Sequence, residues 1–192
     1  MARVLIVDDE ESIRVTLGTF AERSGHRVTL AESVADALDH LRRAHVDVVI
    51  SDIVLPRQSG IALLSEVRAT QPDAQVVMIT GEPEVSTAAE AVRKGAFDYL
   101  AKPVDRDQFE QVLAAAAAKK ELLDRNRLLE EENKKHRDEL ERLVEIRTRE
   151  LRLINETATT LALAEGVDDV YRTAYRSVCT HMDVDAFIVS LV

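Results

Sequence analysis

Through the first hundred residues, short runs of Val, Ile, Leu and Met alternate with longer amphipathic stretches, in a rhythm that repeats five times. The apolar runs predict β-strands at Arg3–Val7, Arg27–Leu30, Val46–Ser51, Gln75–Thr80 and Phe97–Ala101. The first, third and fourth are almost continuously apolar, as expected of central parallel strands covered on both faces. The stretches between them predict helices at Glu11–Arg23, Ser33–Arg43, Gly60–Thr70 and Pro83–Lys94. Ser33 stands where a helix amino-terminal cap belongs, and Gly25 and Gly95 follow helices where a left-handed cap is wanted. Strand–helix alternation with right-handed crossovers gives an α/β fold, a doubly wound parallel sheet with its site at the strands' carboxyl ends.

From Val104 the pattern changes, because neither Gly nor Pro recurs until Gly166 and Ala, Leu, Glu, Lys and Arg dominate. The stretch predicts one long helix of about 60 residues, roughly 90 Å at about 1.5 Å per residue. Leu122, Asn126, Leu129, Asn133, His136 and Leu140 recur at alternating steps of four and three, the spacing of a coiled-coil seam. With Leu122 and Leu129 at d, Asn126 and Asn133 fall at a, where paired asparagines favour a parallel homodimer in fixed register. The seam continues through Val144, Arg147, Leu151, Ile154, Ala158 and Leu161 only if consecutive four-residue steps join His136, Leu140 and Val144. Such a stutter locally unwinds the supercoil. The alternative is a helix packed on its own chain.

Beyond Gly166, a helix is expected at Val167–Met182 and a strand at Ala186–Val192. One helix and one strand enclose no core, so this segment is read as the start of a truncated further domain or as a piece that packs on a partner chain. The expected organisation is therefore a domain at 1–118, a coiled-coil helix at 119–164 and a truncated piece at 165–192.

Composition narrows the function. A formal net charge of -10 with no concentrated basic patch argues against direct nucleic-acid binding and suits a cationic partner such as a divalent metal. Apolar runs far short of a membrane span, and no secretory leader, lead to an expectation of a cytoplasmic protein. Cys179, the single cysteine, has no disulfide or zinc-site companion and reads as a core residue.

Chemistry concentrates at the strand ends. Asp8 and Asp9 follow the first strand, Asp52 the third, Thr80 ends the fourth and Lys102 follows the fifth. In a parallel sheet these ends line one crevice, so three carboxylates, a hydroxyl and an ammonium share a pocket. Taken singly, each has an ordinary reading as a cap, a turn hydroxyl or a surface charge. Together, the carboxylates need a cation, and oxygen-only ligation favours Mg2+ or Mn2+. One carboxylate then serves as nucleophile toward a phosphoryl group, whose charge Lys102 neutralises and to which Thr80 donates a hydrogen bond.

The segments Leu5-Ile6-Val7-Asp8-Asp9-Glu10, Ser51-Asp52-Ile53-Val54-Leu55-Pro56-Arg57-Gln58-Ser59-Gly60, Met78-Ile79-Thr80-Gly81 and Gly95-Ala96-Phe97-Asp98-Tyr99-Leu100-Ala101-Lys102-Pro103 together resemble the receiver domain of two-component response regulators over about residues 1–118. The resemblance implies a flavodoxin-like five-stranded sheet of order 2-1-3-4-5. It also implies that Asp52 is the phosphoacceptor, with a histidine kinase as donor. Asp9 is implied as a direct metal ligand, Asp8 as an accompanying acid and the backbone carbonyl of Val54 as a further ligand. Thr80 and Tyr99 are implied as the coupled switch pair, and Lys102–Pro103 as a cis peptide. A receiver promotes only its own phosphorylation and dephosphorylation, so no separate enzyme activity is expected. Arg147-Thr148-Arg149-Glu150-Leu151-Arg152-Leu153-Ile154-Asn155-Glu156 resembles signalling helices that join such modules to outputs, and 153–192 resembles the opening of a GAF domain. Coupling of phosphorylation to helix register, with the stutter near Leu140 as the pliable point, is the expected route to the output.

Two other functions compete. An aspartyl-phosphate phosphatase of the haloacid dehalogenase kind needs a second acid two residues after its nucleophile, where Val54 stands. An inert dimerisation scaffold needs none of the acidic set. His136, in Lys134-Lys135-His136-Arg137-Asp138-Glu139, lacks a histidine-kinase context and reads as a polar seam residue.

Overall fold

A computed structural model describes residues 1–81, 90–162, 166, 171–172 and 175–176. Five strands, β1 (Arg3–Val7), β2 (Arg27–Ala31), β3 (Val48–Asp52), β4 (Gln75–Thr80) and β5 (Asp98–Ala101), form one sheet in the order β2-β1-β3-β4-β5, with every pairing parallel. Between them lie α1 (Glu11–Arg23), α2 (Val34–Arg43), α3 (Gly60–Thr70) and the helical residues 90–93, here α4; α5 (Arg106–Ala162) follows β5. This is the doubly wound parallel sheet that the alternation predicts, in the flavodoxin-like order that the resemblance implies. No described helix is long and apolar enough to cross a membrane.

The period-two alternation of strand side chains splits the core in two. On one face Leu5, Val7, Val49, Val76 and Met78 pack with Ala37 and Leu41 of α2 and Leu63, Leu64 and Val67 of α3. On the other face Val4, Ile6, Val48, Ile50, Val77, Ile79 and Leu100 pack with Leu17 and Ala21 of α1 and Phe109, Leu113 and Ala116 of α5. Both faces of the central strands are thus apolar, which is why their sequences read as unbroken hydrophobic runs. The Arg106 guanidinium lies 5.8 Å from the Phe20 ring centroid, and Phe20 meets Phe109 at 6.1 Å, joining α1 to the start of α5.

Helix ends follow the expected chemistry. Ser33 Oγ accepts the Asp36 N–H at 3.3 Å and Ser59 Oγ accepts that of Ala62 at 3.4 Å, capping α2 and α3. Gly25 and Gly95 take φ of 82° and 90°, the left-handed region in which glycine has no Cβ penalty. β3 begins two residues later than the hydrophobic run suggests; the Val46 N–H is taken by the Gln71 side chain at 2.9 Å, outside the ladder. β3 ends on Asp52, so the carboxylate sits on the last residue of the strand.

Two units divide the chain, Met1–Leu129 and Glu130–Val192. In the first, the part of α5 beyond its core contacts carries a Lys120–Asp124 ion pair and an Arg127–Asp73 pair at 3.6 Å. In the second, Leu140, Leu143, Val144, Ile146, Leu151 and Ile154 are exposed on α5. The helix expected at Pro83–Lys94 is described only at 90–93. The expected elements Val167–Met182 and Ala186–Val192 lie outside the described residues, apart from helical residues 171–172 and 175–176.

Candidate functional site

Parallel pairing sets which residues meet. Val7 aligns with Ser51, Asp52 with Ile79 and Thr80 with Ala101. The residues at and just past these ends, Asp8, Asp9, Asp52, Thr80 and Lys102, therefore collect at one edge of the sheet. Asp8, Asp52 and Thr80 are 1%, 5% and 2% exposed, whereas Asp9 lies on the surface. One carboxylate oxygen from each of Asp8, Asp9 and Asp52 falls within 4.8 Å of the others.

Lys102 is the cation of this cluster. Its Nζ donates to Asp52 Oδ2 at 2.5 Å, approaches Asp8 Oδ2 at 2.9 Å and stands 3.7 Å from Glu10 Oε1. The approach to Asp8 brings the charges together outside hydrogen-bonding geometry, so that buried oxygen has no donor. Burial depresses the ammonium pKa, but the hydrogen bond to Asp52 and the negative charges of Asp52 and Asp8 outweigh it and hold the pKa above that of an ordinary lysine. Lys102 remains charged throughout the physiological range.

Backbone groups orient the acids. Asp8 Oδ1 accepts the Glu10 N–H at 2.9 Å, while the Arg14 guanidinium donates to the carbonyls of Asp8 and Asp9 at 2.7 and 2.8 Å. Asp52 Oδ1 accepts the Val54 N–H at 2.9 Å, and the Asp52 carbonyl accepts Ser51 Oγ at 2.9 Å. Three carboxylates beside one ammonium leave a deficit of positive charge. The orphaned Asp8 oxygen faces the same cluster. Hard oxygen ligands with this deficit fit a divalent cation such as Mg2+, so the donor set passes the test of fit.

Sequence reasoning singled out the five polar residues that the fold brings together. The Lys102–Pro103 peptide is cis. Tyr99 is 42% exposed on β5, and the Val54 side chain is exposed. The residues expected to form a coiled-coil seam, Leu122, Asn126, Leu129, Asn133, His136, Leu140, Val144, Leu151 and Ile154, are all exposed. Three contributors were not singled out for the roles they play. Gly60, at the start of α3, packs so closely on the strand end that a Cβ there would lie 1.9 Å from the Asp52 carbonyl oxygen. Arg14 reaches the Asp8–Asp9 turn from α1, and Arg57, in the loop after β3, takes a left-handed φ of 71°. The closing glycine of the Ser51–Gly60 segment was the one available signal.

Comparison with known proteins agrees with this geometry. Residues 4–114 match the response regulator receiver domain family. The chain is 40% identical to the regulatory protein AtoC of Escherichia coli K12 over 114 residues, 59% of this chain and 25% of that protein. It is 36% identical to the transcriptional regulatory protein ZraR of Escherichia coli O157:H7 over 121 residues, 63% and 27% respectively. The chain thus spans about a quarter of the length of the curated relatives it matches. Among solved structures, a receiver domain protein from Clostridium thermocellum aligns with a TM-score of 0.61 and 32% identity, covering 64% of this chain and 99% of that one. NtrX from Brucella abortus, solved with ADP, aligns at 0.63 and 33%, covering 67% and 30%. With the parallel sheet, the acidic cluster at its edge and these likenesses together, the chain belongs to the response regulator receiver domain family of two-component phosphorelay signalling.

Proposed function

We propose that the chain is a phosphorylation switch in which Asp52 accepts a phosphoryl group from a histidine kinase and a dimeric coiled coil carries the change to an output. The observation behind this reading is the meeting of Asp8, Asp9, Asp52 and Lys102 at one edge of the sheet. An Asp52 carboxylate oxygen forms a bond to phosphorus as the bond to the donor's imidazole nitrogen breaks, and the departing imidazole takes up a proton. Lys102 Nζ, already against Asp52, neutralises the charge on the incoming phosphoryl oxygens, and the Thr80 hydroxyl donates to one of them. Asp8, Asp9, Asp52 and the Val54 carbonyl hold Mg2+ or Mn2+, which supplies further charge neutralisation when bound. The Val54 N–H fixes the Asp52 carboxylate before the donor arrives.

Thr80 and Tyr99 lie on the neighbouring strands β4 and β5, so movement of the hydroxyl toward a phosphoryl group can be linked to inward rotation of the exposed tyrosine. The output helix is α5. Its exposed seam of Leu122, Asn126, Leu129, Asn133, Leu140, Val144, Leu151 and Ile154 supports a parallel homodimer, and the stutter near Leu140 offers the point where helix register responds. In this reading, 1–118 is the receiver, 119–164 the signalling helix and 165–192 the start of a GAF-like domain, in a cytoplasmic protein without direct nucleic-acid contact in this chain.

Incubation with acetyl phosphate and Mg2+, followed by intact-mass measurement, tests the switch. The wild type gains the mass of one phosphoryl group, and the gain disappears with chelator and in Asp52→Ala. Equal gain in Asp52→Ala, or no gain in the wild type, would refute it.

A further inference from the structure

We infer that Arg125, Glu130, Glu132 and Arg137 are the partner-selection charges of α5, forming ion pairs between two copies of this chain that enforce a parallel, in-register pairing and exclude staggered ones. The inference rests on the dimer proposed above and goes beyond it, by naming what chooses the partner and the register.

With Asn126, Asn133 and Leu140 at a, and Leu122, Leu129 and His136 at d, Arg125 and Glu132 occupy g positions while Glu130 and Arg137 occupy e positions. In a parallel two-stranded coiled coil, each g side chain reaches the e side chain of the following heptad on the other helix. Arg125 then meets Glu130 of the second copy, and Glu132 meets Arg137 of the second copy. Two-fold symmetry doubles both pairs, so four attractions flank the two asparagine layers. A slip of one heptad sets Arg125 against Arg137 and Glu132 against Glu130, keeps only an Arg137–Glu139 attraction, and places Asn133 opposite Leu140. An antiparallel arrangement sets a against d, leaving each asparagine opposite a leucine or His136 instead of another asparagine.

The intrachain contacts point the same way. Elsewhere on α5, Lys120 pairs with Asp124, Arg127 with Asp73 and Arg147 with Glu150. Among the described residues, Arg125, Glu130, Glu132 and Arg137 are all exposed and none makes an ion pair within its own chain. Glu130 and Lys134 stand four apart on the helix, in the favourable order, yet no pair forms between them. These four charges are the ones that the heptad frame sets against an opposite charge on a second helix, whereas Glu139, the next g position, faces the uncharged Val144.

Complementary charge reversal on the full chain tests the assignment. Arg125→Glu with Arg137→Glu makes all four positions acidic, and Glu130→Arg with Glu132→Arg makes all four basic. Each variant turns four attractions into four repulsions, which weakens self-association by on the order of a hundredfold at low salt. An equimolar mixture restores a dimer, read as a mixed species by native mass spectrometry and by sedimentation equilibrium. Retained receiver folding is checked by acetyl phosphate labelling of each variant. If either variant self-associates as tightly as the wild type, the charges do not select the partner, although the dimer itself stands. If the wild type is monomeric, both the dimer and this inference fall. Asn133→Cys in a Cys179→Ser background self-crosslinks in the parallel, in-register pairing; a dimer that resists this crosslink overturns the register.

Discussion

Gly60→Ala isolates the contact between α3 and the strand that carries the candidate nucleophile. A Cβ at position 60 lies 1.9 Å from the Asp52 carbonyl oxygen and 2.9 Å from both the Asp52 carbonyl carbon and Ser51 Oγ. The oxygen belongs to the backbone at the end of β3, so no side-chain rotation relieves the overlap. The Gly60 N–H is also tied to the Ile53 carbonyl at 2.9 Å, which keeps the two segments from sliding apart freely. Relief requires α3 to move outward or the Asp52 peptide to tilt. Overpacking a well-packed core costs about 1–3 kcal/mol, and an overlap with backbone belongs at the upper end, so about 3 kcal/mol is expected. At roughly 4 °C per kcal/mol for a domain of this size, the receiver transition in scanning calorimetry drops by about 12 °C. Two glycines grade the comparison. A Cβ on Gly18 meets only the Leu30 side chain at 3.3 Å, and one on Gly81 meets nothing within 4 Å. Gly18→Ala should cost under about 1 kcal/mol and Gly81→Ala should be near neutral. A Gly60→Ala transition within about 2 °C of wild type, or no less stable than Gly81→Ala, would refute the reasoning.

The acidic cluster should bind Mg2+ in the folded state alone, so metal at ten times its dissociation constant should stabilise the receiver by about 1.4 kcal/mol. That gain should vanish in Asp9→Asn with Asp52→Asn when urea midpoints are compared with and without metal; an equal gain in the double variant contradicts the assignment. Arg68 donates to the carbonyls of Gly95, Pro72 and Ala74, clipping α3 to the approach to β4 and to the end of α4. Arg68→Met should cost about 2 kcal/mol by urea denaturation without altering acetyl phosphate labelling. Burial alone would raise the Asp47 pKa, but the Arg3 backbone N–H at 2.7 Å and guanidinium at 3.3 Å, with Lys120, hold it below the ordinary carboxylate value. Its stabilisation is therefore complete above about pH 4 and lost as pH falls through the depressed value, so Asp47→Asn should lose less stability than wild type between pH 5 and 3.

The fold was legible because strand and helix periods differ and because the central strands, covered on both faces, read as unbroken apolar runs. The site was legible because a parallel sheet sends all its carboxyl ends to one edge, so Asp8, Asp9, Asp52, Thr80 and Lys102 could be gathered without coordinates. The rest depended on contacts between distant residues that carry no periodic signal. The Gly60 approach to Asp52 requires the angle between α3 and β3. Gln71, whose amide donates to the carbonyls of Leu41 and Ala44 and whose oxygen takes the Val46 N–H, draws Val46 out of the ladder by a polar exchange that hydropathy does not register. The burial of Asp8 beside an exposed Asp9 follows from the turn that Arg14 braces, though in sequence the two are equivalent neighbours.

The most direct test of the central claim is to locate the acyl phosphate. After acetyl phosphate and Mg2+, reduction with borohydride converts a phosphorylated aspartate to homoserine, which peptide mass mapping can place. The account predicts homoserine at position 52 alone; homoserine at position 8 or 9, or at none of the three, would contradict it.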